Sequence, residues 1–199
     1  MSLDYHMIMD YFVIDVETAP LDQEAYEAAT EEDRKKNFLN PIASKIVAIG
    51  IRHNGKNKIC LSFTDEKKIL EDFWLEWSAI RKGSSAVGIV GFKICDFDMP
   101  MLVGRSLINN VAINPFLLID IIDLRQKLTA YNHYMKGKLK EYAVLIGLEV
   151  TDEDGSYVAG WVKNNKQKEL KEYLEKDLEI TDVIFKRAES LNILKIKRW

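Results

Sequence analysis

Apolar and polar positions along the chain follow two periods, one near 2 and one near 3.6, and they predict an alternating series of strands and helices. Residues 8–16, "IMDYFVIDV", read as a strand buried on both faces. The polar stretch "LDQEAYEAATEEDRKKNFLN" after it reads as peripheral, with room for a short helix. "KIVAIGIRHNGKNKICLSF" gives two β-rich runs around Asn54-Gly55, a dipeptide that supplies the positive φ angles of a tight hairpin turn. In "DEKKILEDFWLEWSAI", Ile69, Leu70, Phe73, Trp74 and Trp77 fall at helical spacing. "SSAVGIVGF" is a short buried strand ending at Gly91, and "FDMPMLVGRSLIN" a helix with Pro100 in its first turn. "FLLIDIID" is a fifth strand; "LRQKLTAY" and "LKEYAVLIGL" read as helices, and a long amphipathic helix runs from about Lys166 to about Leu191. Three strands, helix, strand, helix, strand and further helices predict an antiparallel meander joined to βαβ crossovers. The expected fold is α/β, a mixed sheet with helices on both faces.

Length and composition narrow the picture. The 199 residues suit one domain spanning 1–199, and 47% hydrophobic with 30% charged residues predicts an ordinary packed core. The net charge of -3 argues against a general nucleic-acid coat, which would be basic. A nucleic-acid enzyme stays open, because its site can hold substrate through metal ions and a local basic rim. Cys60 and Cys95 form no C-x-x-C and have no histidine pair nearby, so reduced thiols in a cytoplasmic protein are expected rather than a zinc site or disulfides. The opening "MSLDYHMIMD" has no basic segment followed by an apolar run, so no signal peptide is expected, and no apolar run nears the roughly 20 residues of a membrane span.

The chemistry lies in the acids. Asp15 and Glu17 stand two apart on a strand, so both leave the same face. Asp98 follows a loop after the strand ending at Gly91. Taken singly it reads as a first-turn helix acid or cap, a contribution of about 0.5–2 kcal/mol. Tyr173 and Asp177 stand four apart on the long helix and share a face, with Thr181 one turn on. Asp96 reads as a solvated loop residue, Asp123 as a helix N-cap, and Asp120 is undecided. Lys163, Lys166, Lys168 and Lys171 read as a solvated helix face rather than a phosphate rim, and "KIKRW" is open between the same alternatives.

Taken in order, D-x-E at the first strand, G-F-x(5)-D after a later strand and Y-x(3)-D near the C-terminus resemble the three motifs of the DEDD superfamily of 3′–5′ exonucleases, in its tyrosine branch. The likeness runs from Tyr11 to about Arg187 and is to the proofreading exonuclease domain of family-B DNA polymerases and its stand-alone relatives. "KIVAIGI", "DIIDLRQKL", "KGKLKEYAVLIGL" and "DGSYVAGWV" support it by their order. The histidine branch would need a histidine five residues before the last aspartate. Position 172 is Glu172, and none of His6, His53 and His133 has that spacing.

The resemblance implies a ribonuclease H-like fold with a five-stranded mixed sheet, order 3-2-1-4-5, strand 2 antiparallel. It implies Asp15, Glu17, Asp98 and Asp177 as ligands of two divalent cations, Mg²⁺ or Mn²⁺, with Tyr173 completing the catalytic set. Hard oxygen ligands suit those ions, and two of them about 3.5–4 Å apart clamp the attacking and leaving oxygens of an in-line phosphoryl displacement. Asp15 is expected to bridge both ions, Glu17 and Asp177 to hold the one that activates water, and Asp98 to position the second. Tyr173 is expected to orient the water, being a poor base with an ordinary pKa of about 10. Thr18, Phe92, Lys93 and Phe97 are the implied substrate contacts. Lys93 stands where many members carry asparagine, which bears on substrate geometry; core packing competes with base stacking for Phe92 and Phe97. The expected partner is nucleic acid with a free 3′ end, single-stranded DNA ahead of RNA, with no membrane, and with a polymerase or other replication or repair protein acting in trans. A ribonuclease D-like RNA trimmer and a non-catalytic binding module with this fold are the alternatives.

Overall fold

The computed structural model describes residues 10–82 and 87–198. The expected first residues of the opening strand, Ile8 and Met9, and residues 84–86 of the fourth lie outside them, as does His6. Strands β1 (Asp10–Pro20), β2 (Ser44–His53), β3 (Lys56–Leu61), β4 (Val87–Gly91) and β5 (Ile121–Asp123) form one sheet in the order β3-β2-β1-β4-β5. β2 runs antiparallel to both β1 and β3, and β4 and β5 run parallel to β1. The β2–β3 turn is the predicted one, with Asn54 and Gly55 both at positive φ.

Alternation along β1 sorts its side chains between two layers. Phe12, Ile14 and Val16 join a core with helices α3 (Glu66–Arg81) and α4 (Asp98–Ile108). There Trp77 is fully buried, ringed by Phe12, Phe73, Trp74 and Phe116 at 5.0–5.7 Å between centroids. Tyr11 and Val13 face the other layer, built on the long helix α8 (Gln167–Ser190). Asp15 and Glu17 continue that second row, so strand geometry alone aims them at α8.

Two devices fix where α8 lies. Gly50 pairs with Asp15, and a Cβ at Gly50 would sit 2.6 Å from Leu178 Cδ1, so only glycine lets α8 come this close. At the far end, Asp182 on α8 accepts hydrogen bonds from Tyr11 Oη (2.6 Å), Arg52 Nε (3.0 Å) and Lys186 Nζ (2.9 Å), tying the helix to β1 and β2. Asp177 directly precedes Leu178, the first of these anchors.

The remaining elements are small. The polar stretch after β1 holds two helices, α1 (Gln23–Ala28) and α2 (Glu31–Asn37), capped by Asp22 and Thr30 and burying nothing, which makes it as peripheral as expected. α5 (Leu124–Leu128) and α6 (Leu139–Leu145) are shorter than the runs that predicted them, and α7 (Val158–Lys163) follows a 3₁₀ turn at Gly155–Tyr157. "FLLIDIID" differs most from expectation. Only Ile121–Asp123 pair with β4, Leu118–Asp120 form a 3₁₀ turn, and Leu117, Leu118 and Ile119 are exposed. An apolar run becomes strand only where a neighbour offers free backbone groups, and β4 offers a partner to just three of these residues.

Candidate active site

Helices α4 and α8 converge on the C-terminal half of β1. Asp15 and Glu17 stand opposite Gly50 and Ala48 of β2, and a β-bulge follows between Glu17 and Thr18. Asp98 is the first residue of α4, but it does not serve as its cap. Phe97 occupies the cap position without a side-chain bond. The Asp98 Oδ1 instead accepts a 2.9 Å hydrogen bond from the backbone N–H of Val16, between the two β1 acids. Tyr173 and Asp177 reach the same place from α8. Glu17, Asp98, Tyr173 and Asp177 are all buried, while Asp15 keeps part of its surface open.

The loop that delivers Asp98 is held by Asp123. Its carboxylate accepts from the N–H groups of Lys93 (3.2 Å) and Cys95 (3.1 Å) and also caps α5 through Gln126 N (3.2 Å). The expected N-cap is present, and the same side chain positions the second motif. Lys93 sits at φ +63°, a left-handed conformation that asparagine adopts more readily than lysine, and its side chain is exposed. Asp96 is exposed, as read. Phe92 and Phe97 are half-buried against the two core layers, with Phe92 6.1 Å from the Tyr142 ring. Thr18 is half-buried after the bulge. Asp120 pairs with Arg81 (2.9 Å), away from the four acids. Lys163, Lys166, Lys168 and Lys171 pair with Glu27, Glu169, Glu172 and Glu175, which is the solvated-face reading.

Burial raises all four acids above the usual carboxylate range, and for Asp15 and Glu17 the charges of the neighbouring acids add to it. Asp15 is pushed up by desolvation and then by the charges of Glu17, Asp98 and Asp177; Glu17 by desolvation, then by Asp177 and Asp98. Burial lifts Asp98 to about 7 against the backbone N–H groups that favour its charge. Asp177 is raised by burial, with Lys140 and Tyr173 pulling it back. The Tyr173 hydroxyl is driven far above its ordinary value by burial and by Glu17, Asp177 and Asp15.

Lys140 carries a positive charge that opposes Glu17 and Asp177 in that balance. Its Nζ lies 3.9 Å from Asp177 Oδ1 and 4.7 Å from the centre of the Tyr173 ring. It is held there by Thr151 Oγ1 (2.9 Å) and the carbonyls of Thr151 and Glu153. No motif in the sequence marks this lysine, because the loop carbonyls that fix it leave no side-chain pattern.

Among the described residues, no three His, Cys, Asp or Glu side chains already close on one point as a metal cage. The donor set nevertheless suits a hard cation. Four carboxylates share one field, and the buried Asp177 Oδ1 has no hydrogen-bond donor. Without a cation the raised carboxyls set the sign of the pH dependence. The folded chain keeps protons that the unfolded chain releases, so this contribution to stability is full below about pH 4 and declines as pH climbs through about 7. In chelator the melting temperature should therefore fall between pH 5 and pH 8. Mn²⁺ should raise it more at pH 8 than at pH 5. A flat profile in chelator would show that burial does not hold these carboxyls protonated in the folded chain.

The two cysteines are unbridged, as expected: Cys60 is buried, which pushes its thiol up to about 11, and Cys95 is exposed as a residue, its partly desolvated thiol beside the Asp123 charge pushed up to about 12. No described helix is long and apolar enough to cross a membrane.

No curated protein matches the chain. Among solved structures, it superposes on a family B DNA polymerase from the hyperthermophilic archaeon Pyrobaculum calidifontis with a TM-score of 0.69 at 14% identity. The match covers 92% of this chain and 25% of the polymerase, and it shows the fold: the ribonuclease H-like sheet order 3-2-1-4-5. A family model described as a predicted 3′–5′ exonuclease related to the exonuclease domain of PolB matches residues 36–193. That span takes in Asp98, Lys140, Tyr173 and Asp177, while the strand carrying Asp15 and Glu17 precedes it. The chain thus belongs to the family of predicted 3′–5′ exonucleases related to the PolB exonuclease domain.

Proposed function

We propose that the chain hydrolyses phosphodiester bonds at the 3′ end of nucleic acid, with single-stranded DNA as the first choice of substrate. The observation that carries this is the convergence of acids from β1, α4 and α8 in one electrostatic field beside Tyr173. Asp15, Glu17, Asp98 and Asp177 are the residues that would hold divalent cations, Mg²⁺ or Mn²⁺. When bound, such ions supply a nucleophilic hydroxide and neutralise charge building on the phosphoryl oxygens.

The chain's own groups do the positioning. Tyr173 stays protonated across the neutral range, so it donates a hydrogen bond to the attacking water and does not act as a base. Lys140 favours the ionised form of Asp177 and Glu17, keeping them ready as ligands. Thr18 and Lys93 line the approach from β1 and from the loop before α4, where a backbone group and a cation serve a terminal nucleotide. Phe92 and Phe97 keep enough exposed surface to add a stacking contact. Unbridged cysteines fit a cytoplasmic setting, and the likeness to a polymerase domain supports a replication or repair protein as partner in trans.

The test is digestion of 5′-labelled DNA and RNA, single- and double-stranded, in Mg²⁺, Mn²⁺ or chelator. Stepwise shortening from the 3′ end that needs the cation is the expected result, fastest on single-stranded DNA. Faster digestion of RNA would move the assignment to a ribonuclease D-like trimmer, and no digestion under any condition would end it. Tyr173→Phe should slow hydrolysis on the order of 10²-fold, the scale of a misplaced reacting group, while calorimetric Mn²⁺ binding stays intact.

A further inference from the structure

Next to Tyr173, and lined by none of the four acids, lies an open hollow of about 520 Å³ bounded by Ser156, Tyr157, Gly160, Trp161, Asn164 and Lys166, the last already paired with Glu169. Its size falls in the range of roughly 300–1,000 Å³ usual for small-ligand sites. Its floor is aromatic. Tyr157 is half exposed, and its ring stands 5.8 Å from that of Trp161, which is 5.4 Å from Tyr173. Two ring-to-ring steps therefore link the hollow to the catalytic tyrosine. Asp154, whose carboxylate accepts from Ser156 N and Oγ on the rim, is close enough to act on Glu17. The opening is kept by Gly160, where a Cβ would meet nothing within 4 Å. Asn164 and Lys166 add polar groups around the apolar floor.

An aromatic floor with a polar rim next to a phosphodiester-cleaving centre matches what a single strand needs. Base stacking on an aromatic face is tolerant of sequence, and the rim meets base edges or the sugar-phosphate chain. We infer that this hollow is a nucleobase subsite, in which a base of the single strand flanking the scissile bond stacks on Tyr157 over Trp161. The inference rests on the nuclease reading and extends it to substrate form, since a base held in a duplex has no free face to offer.

Two variants test it without touching the acids. Tyr157→Ala removes the exposed ring, and Gly160→Leu fills the hollow while leaving the rings in place. Because Gly160 has free space around it and leucine is the better helix former, the second variant should fold at least as well as the parent. Binding of fluorescein-labelled dT12 is measured by anisotropy in a background silenced by Asp177→Asn. Each variant should weaken binding about tenfold, within the range of one aromatic–base stack, and Tyr157→Phe should bind as the parent does. In the active chain the same variants should raise KM for single-stranded DNA and leave kcat within about twofold. Unchanged binding in both variants, or no binding of dT12 by the parent, would overturn the subsite. A chain that binds dT12 through the hollow yet cleaves no 3′ end would overturn the nuclease reading alone.

Discussion

Asp177→Ala should abolish cation-dependent 3′-end hydrolysis, a loss on the order of 10³-fold or more, the scale of removing one preorganised stabiliser of transition-state charge. The same change should leave the chelated protein as stable as the parent or more so. Asp177 is one of the charges that Asp15 and Glu17 resist, and its Oδ1 satisfies no donor in the fold. Lys140 would not be orphaned, because Thr151 and Glu153 still accept its hydrogen bonds, while the Tyr173 hydroxyl loses its Asp177 acceptor, a cost set against the relieved repulsion. Asp15→Ala should behave alike. Asp98 needs asparagine instead of alanine, since alanine would strip the buried Val16 N–H of its acceptor at a cost of about 1–3 kcal/mol. Melting curves in chelator paired with the digestion assay separate the two effects. Full activity in Asp177→Ala or Asp15→Ala would disprove the site, and a large drop in melting temperature would mean that the acids serve the fold.

The opposite signs of these effects explain how much of the site was readable in sequence. Strand alternation places Asp15 and Glu17 on one face, and helical spacing places Tyr173 and Asp177 together, so both pairs follow from local geometry. Asp98 was readable as chemistry only through motif order. Its local pattern suits an ordinary helix start, and its real partner, Val16 N, is 82 positions away. Lys140 and the further role of Asp123 were hidden for the same reason: their partners are backbone groups of irregular loops, which carry no side-chain signature. The exposed Leu117–Ile119 run shows the converse, where composition promised a strand and the short β4 edge could not pair it. Gly50 was unremarkable as a letter, yet it lets α8 lie close against β2 at the point where β2 pairs with Asp15.

The largest stability loss is expected on the opposite face, from Glu66→Ala. The Glu66 carboxylate accepts from Ile46 N (2.7 Å), Arg105 Nε (2.8 Å), Arg105 Nη2 and Asn109 Nδ2 (2.9 Å), so one side chain joins β2, α3 and α4. Both side chains of the ion pair are less than a tenth exposed. Its removal leaves Arg105 as a buried charge with Pro41 O as its remaining acceptor from outside its own helix, and frees the Ile46 N–H. Breaking a buried pair from one side costs about 3–5 kcal/mol, and in a chain of this size that lowers the melting temperature by about 10 °C or more. Glu66→Gln keeps an acceptor and should lose less. Replacing both partners, Glu66→Leu with Arg105→Met, should recover most of the loss, because no unpaired charge remains. Arg105 lies two turns from Asp98 on α4, so Glu66→Ala should also lower nuclease activity at temperatures where the chain is still folded, by loosening the helix that holds Asp98 against Val16. A melting temperature within 2 °C of the parent would mean that the three elements are held by apolar packing alone.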